Sequence, residues 1–321
     1  MTRVCNLLKV YIYLAFIEIS KLNNNMTKII SAKLLTTVKV ENILGEGVLW
    51  DELKQSVWWT DIQGCKIFQY SLIDQVLSVY PTPERVGCFG FVQNSEKLIV
   101  AFASGIAYFT PVSGEVSWLV KPTLAEGSRF NDGRIDRFGR FWPGTMMEDE
   151  ENAPALAKLY QINSAGESIE RLDNIRVANG LCWSPDGTVM YHADSPTRTI
   201  WRYHSDPKTG QLSDKSLFSQ TPENIFPDGS TVDKYGNVWN AQWDGSQVVC
   251  YSPHGEVLGK IKVPATRATC VAFGGENLDL MFVTSARVGL TETELLAQPQ
   301  AGNLFIYQLP ESIGLIEARF K

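Results

Sequence analysis

The sequence predicts an all-β chain closed as a six-bladed β-propeller, and three observations predict it. Six strand cores rich in aromatic and β-branched residues return at intervals of roughly 40 to 50 residues, the length a four-stranded blade takes. Gly, Asp, Asn and Pro punctuate the stretches between them in the manner of hairpin turns. Almost no stretch carries the 3.6-residue period of an amphipathic helix. A β-sandwich also offers short strands and turn signals, but without a larger period. Here one pattern, a turn, then a Trp, Phe or Tyr strand, then small residues, comes back in each unit.

In chain order, the core at 57–61 (VWWTD) is followed by a partner strand at 64–70, and the core at 98–102 (LIVAF) by one at 105–109. The core at 140–145 (RFWPGT) precedes 157–162, and that at 189–194 (VMYHAD) precedes 199–203. The last two, 238–242 (VWNAQ) and 280–285 (LMFVTS), precede 246–251 and 302–307. Trp58, Trp142, Trp183 and Trp239 read as core residues of successive blades. A second repeat sets Asn or Asp beside Gly ahead of a strand, a turn and another strand. Its copies are Phe130-Asn131-Asp132-Gly133, Ala178-Asn179-Gly180 and Phe226-Pro227-Asp228-Gly229. Taken singly, such Asn-Gly and Asp-Gly pairs read as hairpin turn formers. If the copies are equivalent units, their polar side chains converge on one point.

The 321 residues, 44% of them hydrophobic, suffice for a large core, and no linker rich in Pro, Gly or Ser divides them. With 29 basic and 35 acidic residues the net charge is -6, and no basic run offers a nucleic-acid footprint. Cys5, Cys65, Cys88, Cys182, Cys250 and Cys270 form no CxxC pair and read as free thiols in a reducing, cytoplasmic setting. Near the start, an apolar run over 10–19 behind Arg3 and Lys9 imitates a secretory signal. Glu18 interrupts it, 20–25 (SKLNNN) lacks a small-residue cleavage site, and the run is too short to span a bilayer. Met26 opens what reads as an ordinary soluble start. The expected division is therefore an extension over 1–25 outside the fold and one propeller over 26–321.

In a propeller the innermost strands aim their ends at a central channel, where residues distant in sequence can meet. Four oxygen-bearing residues sit at comparable blade starts: Glu46, Asn131, Asn179 and Asp228. Carboxylates and amide oxygens are hard donors suited to Ca²⁺, Mg²⁺, Mn²⁺ or Zn²⁺. Glu46, between Gly45 and Gly47, has little use as a turn former, and the flanking glycines permit close approach to a ligand. Thiolate zinc spacing is missing, and His192, His204 and His254 form no HxxxH pair; His192 reads as a packed or exposed residue. No GxSxG motif is present, and three histidines in all speak against a Ser-His-Asp mechanism.

Gly45-Glu46-Gly47 with Trp50-Asp51, Arg129-Phe130-Asn131-Asp132-Gly133, and Gly139-Arg140 with Gly144-Thr145-Met146 carry a family resemblance. With Ala178-Asn179-Gly180-Leu181, Trp183-Ser184 and Pro227-Asp228-Gly229, the chain resembles the senescence marker protein/gluconolactonase family of regucalcin-like propellers. Phe273-Gly274-Gly275 and 298–302 (QPQAG) fit as well, so the likeness runs from about 43 to about 309. It implies one divalent metal, Ca²⁺, Zn²⁺, Mn²⁺, Mg²⁺ or Fe²⁺, held by Glu46, Asn179 and Asp228. It further implies that Arg129 and Asn131 contact the substrate, and that the activity is hydrolysis of a sugar lactone to the aldonic acid. Lactones of the gluconolactone, arabinonolactone or xylonolactone type are the implied substrates. After Gly144-Thr145-Met146 the animal members have a small residue and two glutamates, the second touching substrate. Here the run is Met147-Glu148-Asp149-Glu150, and Asp149 falls at that place with a shorter arm.

The chemistry agrees with the implied activity. A hard cation polarises a lactone carbonyl and acidifies bound water, so attack needs one nearby base. Asp228 is the expected base as well as a ligand, and Arg129 the group that stabilises the carboxylate formed on ring opening. The expected state is a monomer or small homo-oligomer with a small-molecule partner and neither nucleic acid nor membrane. The rival reading is a Ca²⁺-binding regulatory propeller without turnover. A bare interaction scaffold has no need of a polar cluster at its mouth.

Overall fold

The computed structural model describes residues 30–150 and 152–321, and the expected extension over 1–25 lies outside them. Among the described residues the first strand is β1 (Lys33–Val38), and five four-stranded antiparallel sheets follow it in order. The first is β2 (Gly45–Asp51), β3 (Ser56–Asp61), β4 (Lys66–Ser71) and β5 (Leu77–Pro81), and the second β6 (Val86–Phe91), β7 (Leu98–Phe102), β8 (Gly105–Thr110) and β9 (Glu115–Val120). The third holds β10 (Ser128–Ile135), β11 (Phe141–Met147), β12 (Ala157–Ile162) and β13 (Ser168–Ile175). The fourth holds β14 (Ala178–Trp183), β15 (Val189–Asp194), β16 (Thr199–Ser205) and β17 (Leu212–Gln220). The fifth holds β18 (Phe226–Val232), β19 (Val238–Trp243), β20 (Gln247–Tyr251) and β21 (Val257–Lys262).

The sixth sheet joins the chain ends. β22 (Ala268–Gly274), β23 (Leu280–Ser285) and β24 (Leu304–Gln308) are completed by β1, which pairs antiparallel with β24. β1 is thereby the outermost strand of this sheet, and an early strand paired with the last one closes the ring. The architecture is the six-bladed propeller that the spacing predicts, and the six strand cores are the second strands of the six blades. Among the described residues one short α-helix, α1 (Glu292–Ala297), interrupts the pattern; Thr291 and Glu294 close a capping box at its start. Among the described residues no helix is long and apolar enough to cross a membrane.

The core is six clusters, each wedged between two neighbouring blades. Because successive strand residues face opposite sides, adjacent Trp58 and Trp59 serve different clusters. Trp58 stacks on Tyr80 beside Phe89 and Phe91 of the second blade, whereas Trp59 stacks on Phe68 in the cluster shared with Phe282 of the sixth. Trp142 meets Trp183 edge to face across the third and fourth blades. Each buried aromatic of this kind removes roughly 150–250 Å² from water, so the interblade seams supply most of the apolar stabilisation. Cys65, Cys88, Cys182, Cys250 and Cys270 are free thiols, as their spacing predicts.

The repeated Asp-x-x-Gly-x-x-Trp spacing has a local purpose. Asp136 accepts from the backbone N–H groups of Phe138 and Arg140 with one oxygen, and from Arg140 Nε and Trp142 Nε1 with the other. Asp233 does the same for Tyr235, Asn237 and Trp239 two blades on. One carboxylate thus locks the hairpin and orients the buried Trp that follows it. These hairpins lie at one end of the ring. The C-terminal segment crosses that end: Gly314 N–H donates to Leu278 O, Phe320 N–H to Phe91 O, and Lys321 N–H to Gly139 O. From it the buried Glu317 reaches Arg134 at 2.6 Å and Arg137 at 3.2 Å.

Candidate active site

The opposite end of the ring is open, and its geometry starts from a defect shared by the innermost strands. In β2 the register shifts between Glu46 and Leu49, in β10 between Phe130 and Gly133, in β14 between Asn179 and Cys182, and in β18 between Pro227 and Ser230. Each shift is a β-bulge, one extra residue that twists the strand and re-aims a side chain. The Asn-Gly and Asp-Gly pairs, read singly as hairpin turns, are therefore bulges inside strands. At Gly47 and Gly180 a Gly is needed because the chain turns left-handed, with φ of +59° and +61°, whereas at Gly133 and Gly229 a Cβ would meet Cys88 Sγ and Cys270 Sγ at 2.6 Å. A Cβ on Gly180 would also come within 3.0 Å of the Asp228 carbonyl on the next blade.

The re-aimed side chains meet. Glu46, Arg129, Asn131, Asn179 and Asp228 all line one cavity of about 890 Å³. Leu44, Met146, Phe226 and Trp243 give it apolar walls, and Glu148, Glu150, Arg176 and Arg267 stand among its polar lining. Asp149 is not there. The strand ends at Met147, and in the turn that follows the exposed Asp149 carboxylate accepts from Asn152 N–H and Nδ2. The shorter arm caps its own turn, an ordinary use of Asp, and Glu148 and Glu150 on either side take the cavity wall. Glu148 is held in a bidentate pair by Arg85, at 2.9 and 2.7 Å.

The acids are crowded and dry. Burial raises the Glu46 carboxyl well above the usual range, and the charge of Asp132 raises it further. Asp228 is raised for the same first reason, then by Glu46 and Asp132. Asp228 Oδ1 is buried without a hydrogen-bond partner among the described residues, Glu46 Oε2 accepts the N–H of Gly47, and the two carboxyls are close enough to hydrogen-bond each other. Two carboxyls forced together away from water favour a shared proton or a cation between them. Burial pulls the Arg129 guanidinium down to about 10, helped by Arg85, which still leaves it charged at neutral pH. Among the described residues no three His, Cys, Asp or Glu side chains form a metal group, and Asn179 brings an amide oxygen to the cavity that Glu46 and Asp228 line. Two carboxylates, one of them with an unsatisfied buried oxygen, and one amide oxygen make a donor set that fits a hard divalent cation.

A relay of hydrogen bonds sets the neutral groups. Arg129 Nη1 donates to Asn131 Oδ1 over 3.0 Å, and Asn131 Nδ2 donates to Ala178 O at 3.1 Å and Asn179 Oδ1 at 3.2 Å. Asn179 Nδ2 donates to Ser195 Oγ at 2.8 Å, and that hydroxyl donates to Pro227 O at 2.7 Å. Ser195 lines the cavity and escaped the reading of the sequence. Its only signal was its place in Asp194-Ser195-Pro196, directly after the fourth strand core.

A family model described as SMP-30/Gluconolactonase/LRE-like region matches residues 44–287. L-arabinolactonase of Azospirillum brasilense is 36% identical over 282 residues, which is 87% of this chain and 92% of that protein. 6-deoxy-6-sulfogluconolactonase of Pseudomonas putida is 35% identical over 84% of this chain and 92% of its own length. Among solved structures, a calcium-binding protein, regucalcin, from Agrobacterium tumefaciens superposes with a TM-score of 0.83 at 27% identity. That superposition covers 91% of this chain and 98% of the other.

Proposed function

This chain belongs to the SMP-30/gluconolactonase/LRE-like family, and from that premise we propose that it is a divalent-metal-dependent hydrolase opening a sugar lactone to the aldonic acid. The relatives named as an arabinolactonase and a sulfogluconolactonase support the lactonase class. The observation that carries the metal dependence is the buried, unpartnered Oδ1 of Asp228 beside Glu46. Glu46, Asn179 and Asp228 would hold the ion. When bound, it supplies Lewis-acid polarisation of the lactone carbonyl and lowers the pKa of water.

The chain's own groups do the rest. Asp228 receives a proton as water attacks the carbonyl carbon, through the carboxylate oxygen that would not hold the ion. When the bond from that carbon to the ring oxygen breaks, the departing oxygen takes this proton and becomes a hydroxyl, and the carboxylic acid so formed releases water's second proton to solvent. Arg129 is charged throughout, and its guanidinium stabilises the carboxylate as it forms. Asn131 is fixed by Arg129 and orients substrate hydroxyls from a rigid strand. Leu44, Met146, Phe226 and Trp243 cover the C–H faces of the sugar ring. With Asp149 turned away, Glu148 and Glu150 stand where the polyol tail is read.

The test is proton release from a panel of pentono- and hexonolactones, with EDTA treatment and metal add-back. Turnover that EDTA abolishes and Mn²⁺ or Zn²⁺ restores is the expected result, and turnover indifferent to EDTA overturns the metal dependence. The likeness to a calcium-binding regucalcin favours a second reading, a Ca²⁺-binding regulatory protein. It predicts Ca²⁺ uptake with no lactone opened by any metal form.

A further inference from the structure

The relay through the site has a direction, and both of its ends are chemically one-way. At one end the Arg129 guanidinium can only donate, so the atom of Asn131 that meets Nη1 has to be its oxygen. The nitrogen of Asn131 then faces the Ala178 carbonyl, which can only accept. At the other end the Pro227 carbonyl can only accept, so the single proton of the Ser195 hydroxyl is committed to it, over 2.7 Å. What remains on Ser195 Oγ toward Asn179 is a lone pair, which demands the Nδ2 of the amide.

We infer that Ser195 is a positioning residue that sets the rotation of the Asn179 amide, so that Oδ1 and not Nδ2 faces the cation position between Glu46 and Asp228. The inference rests on the metal reading of the site given above. A flipped amide places two N–H bonds where a cation needs a lone pair, and it costs two hydrogen bonds because Asn131 Nδ2 and the Ser195 lone pair both lose their partners. The same hydroxyl ties the fourth blade to the backbone immediately before Asp228 on the fifth. Sequence gives no hint of this, since the decisive fact is where the hydroxyl's one proton goes.

The test separates orientation from mere packing by replacing the amide with a group that has no wrong way round. Mn²⁺ binding is measured by calorimetry for the full chain, for Ser195→Ala, for Asn179→Asp and for the double variant, alongside the melting temperature of each metal-free form. Ser195→Ala is expected to weaken Mn²⁺ binding about tenfold, the scale of one buried hydrogen bond. In the Asn179→Asp background the same change is expected to cost nothing, because a carboxylate presents oxygen on both sides. If Ser195→Ala binds like the unmodified chain, the inference is wrong while the metal reading stands. A tenfold loss that persists undiminished in the Asn179→Asp background also overturns it, since the loss then comes from packing. Should the unmodified chain take up no Mn²⁺, the metal reading itself fails and the inference falls with it.

Discussion

Asn131 and Asn179, 48 residues apart, are joined side chain to side chain across two blades, Nδ2 of the first to Oδ1 of the second at 3.2 Å. The proposed substrate-binding residue therefore also supports a proposed metal ligand. Asn131→Ala is expected to raise KM and, unlike a pure substrate contact, to weaken metal binding several-fold as well. Kinetics at saturating Mn²⁺ combined with calorimetry on the same variant check both halves. A changed KM with metal affinity intact means the bond to Asn179 contributes nothing to the site.

Neutralising one of the two buried carboxyls should have opposite effects on the empty and loaded protein. Glu46→Gln removes a repulsive charge from beside Asp228 and a ligand charge from the cation site. The metal-free variant is expected to melt a few degrees higher at pH 8, on the scale of about 2–4 °C per kcal/mol for a chain of this size, and to bind metal more weakly. Thermal scans and titrations of one preparation read both. A lower melting point without metal contradicts the crowding of the pair.

The sign of the pH dependence follows from the direction of the same shifts. Folded Glu46 and Asp228 hold protons that the unfolded chain has already lost above its usual carboxylate range. The folded state thus binds more protons than the unfolded one in that window, and metal-free stability falls as pH rises from about 4.5 through the raised folded values. Metal uptake near neutral pH has to expel such a proton. Calorimetry in buffers of different ionisation enthalpy should find proton release on Mn²⁺ binding, and heats that do not vary with the buffer refute the shared proton.

Asp228→Asn is expected to lower kcat about 10²-fold or more even when metal is saturating, as loss of a general base does. Arg129→Ala should mainly raise KM. Recovery of near-normal turnover in Asp228→Asn at high Mn²⁺ would leave Asp228 a ligand only, and the base would then be sought at Glu148 or Glu150 on the cavity wall.

At the closed end of the ring, Glu317→Ala strands the guanidiniums of Arg134 and Arg137 in a buried setting. Breaking a buried pair from one side costs about 3–5 kcal/mol, so chemical denaturation should show a loss of that order. A loss below about 1 kcal/mol, the range of an exposed pair, would mean that water reaches this end of the channel.

Much of this molecule was legible in its residues, and the parts that were not share one physical reason. Blade number follows from the spacing of cores such as 57–61 and 189–194, because each blade must bury its own aromatic residues. The proposed ligands were legible because Glu46, Asn179 and Asp228 stand at comparable blade starts, Asn179 and Asp228 in copies of one repeat and Glu46 between two glycines. What those places are had to come from the fold: Asn-Gly and Asp-Gly form turns in isolation, and only pairing against β11, β15 and β19 makes bulges of them. Asp149 was misplaced for a local reason, since a one-carbon-shorter arm satisfies its own turn at Asn152 before it can reach the cavity. Ser195 and the direction of the relay were beyond any sequence reading. Residue types state which groups can donate and accept, whereas the commitment of a hydroxyl's single proton depends on a carbonyl 32 residues away that only the closed ring brings within 2.7 Å.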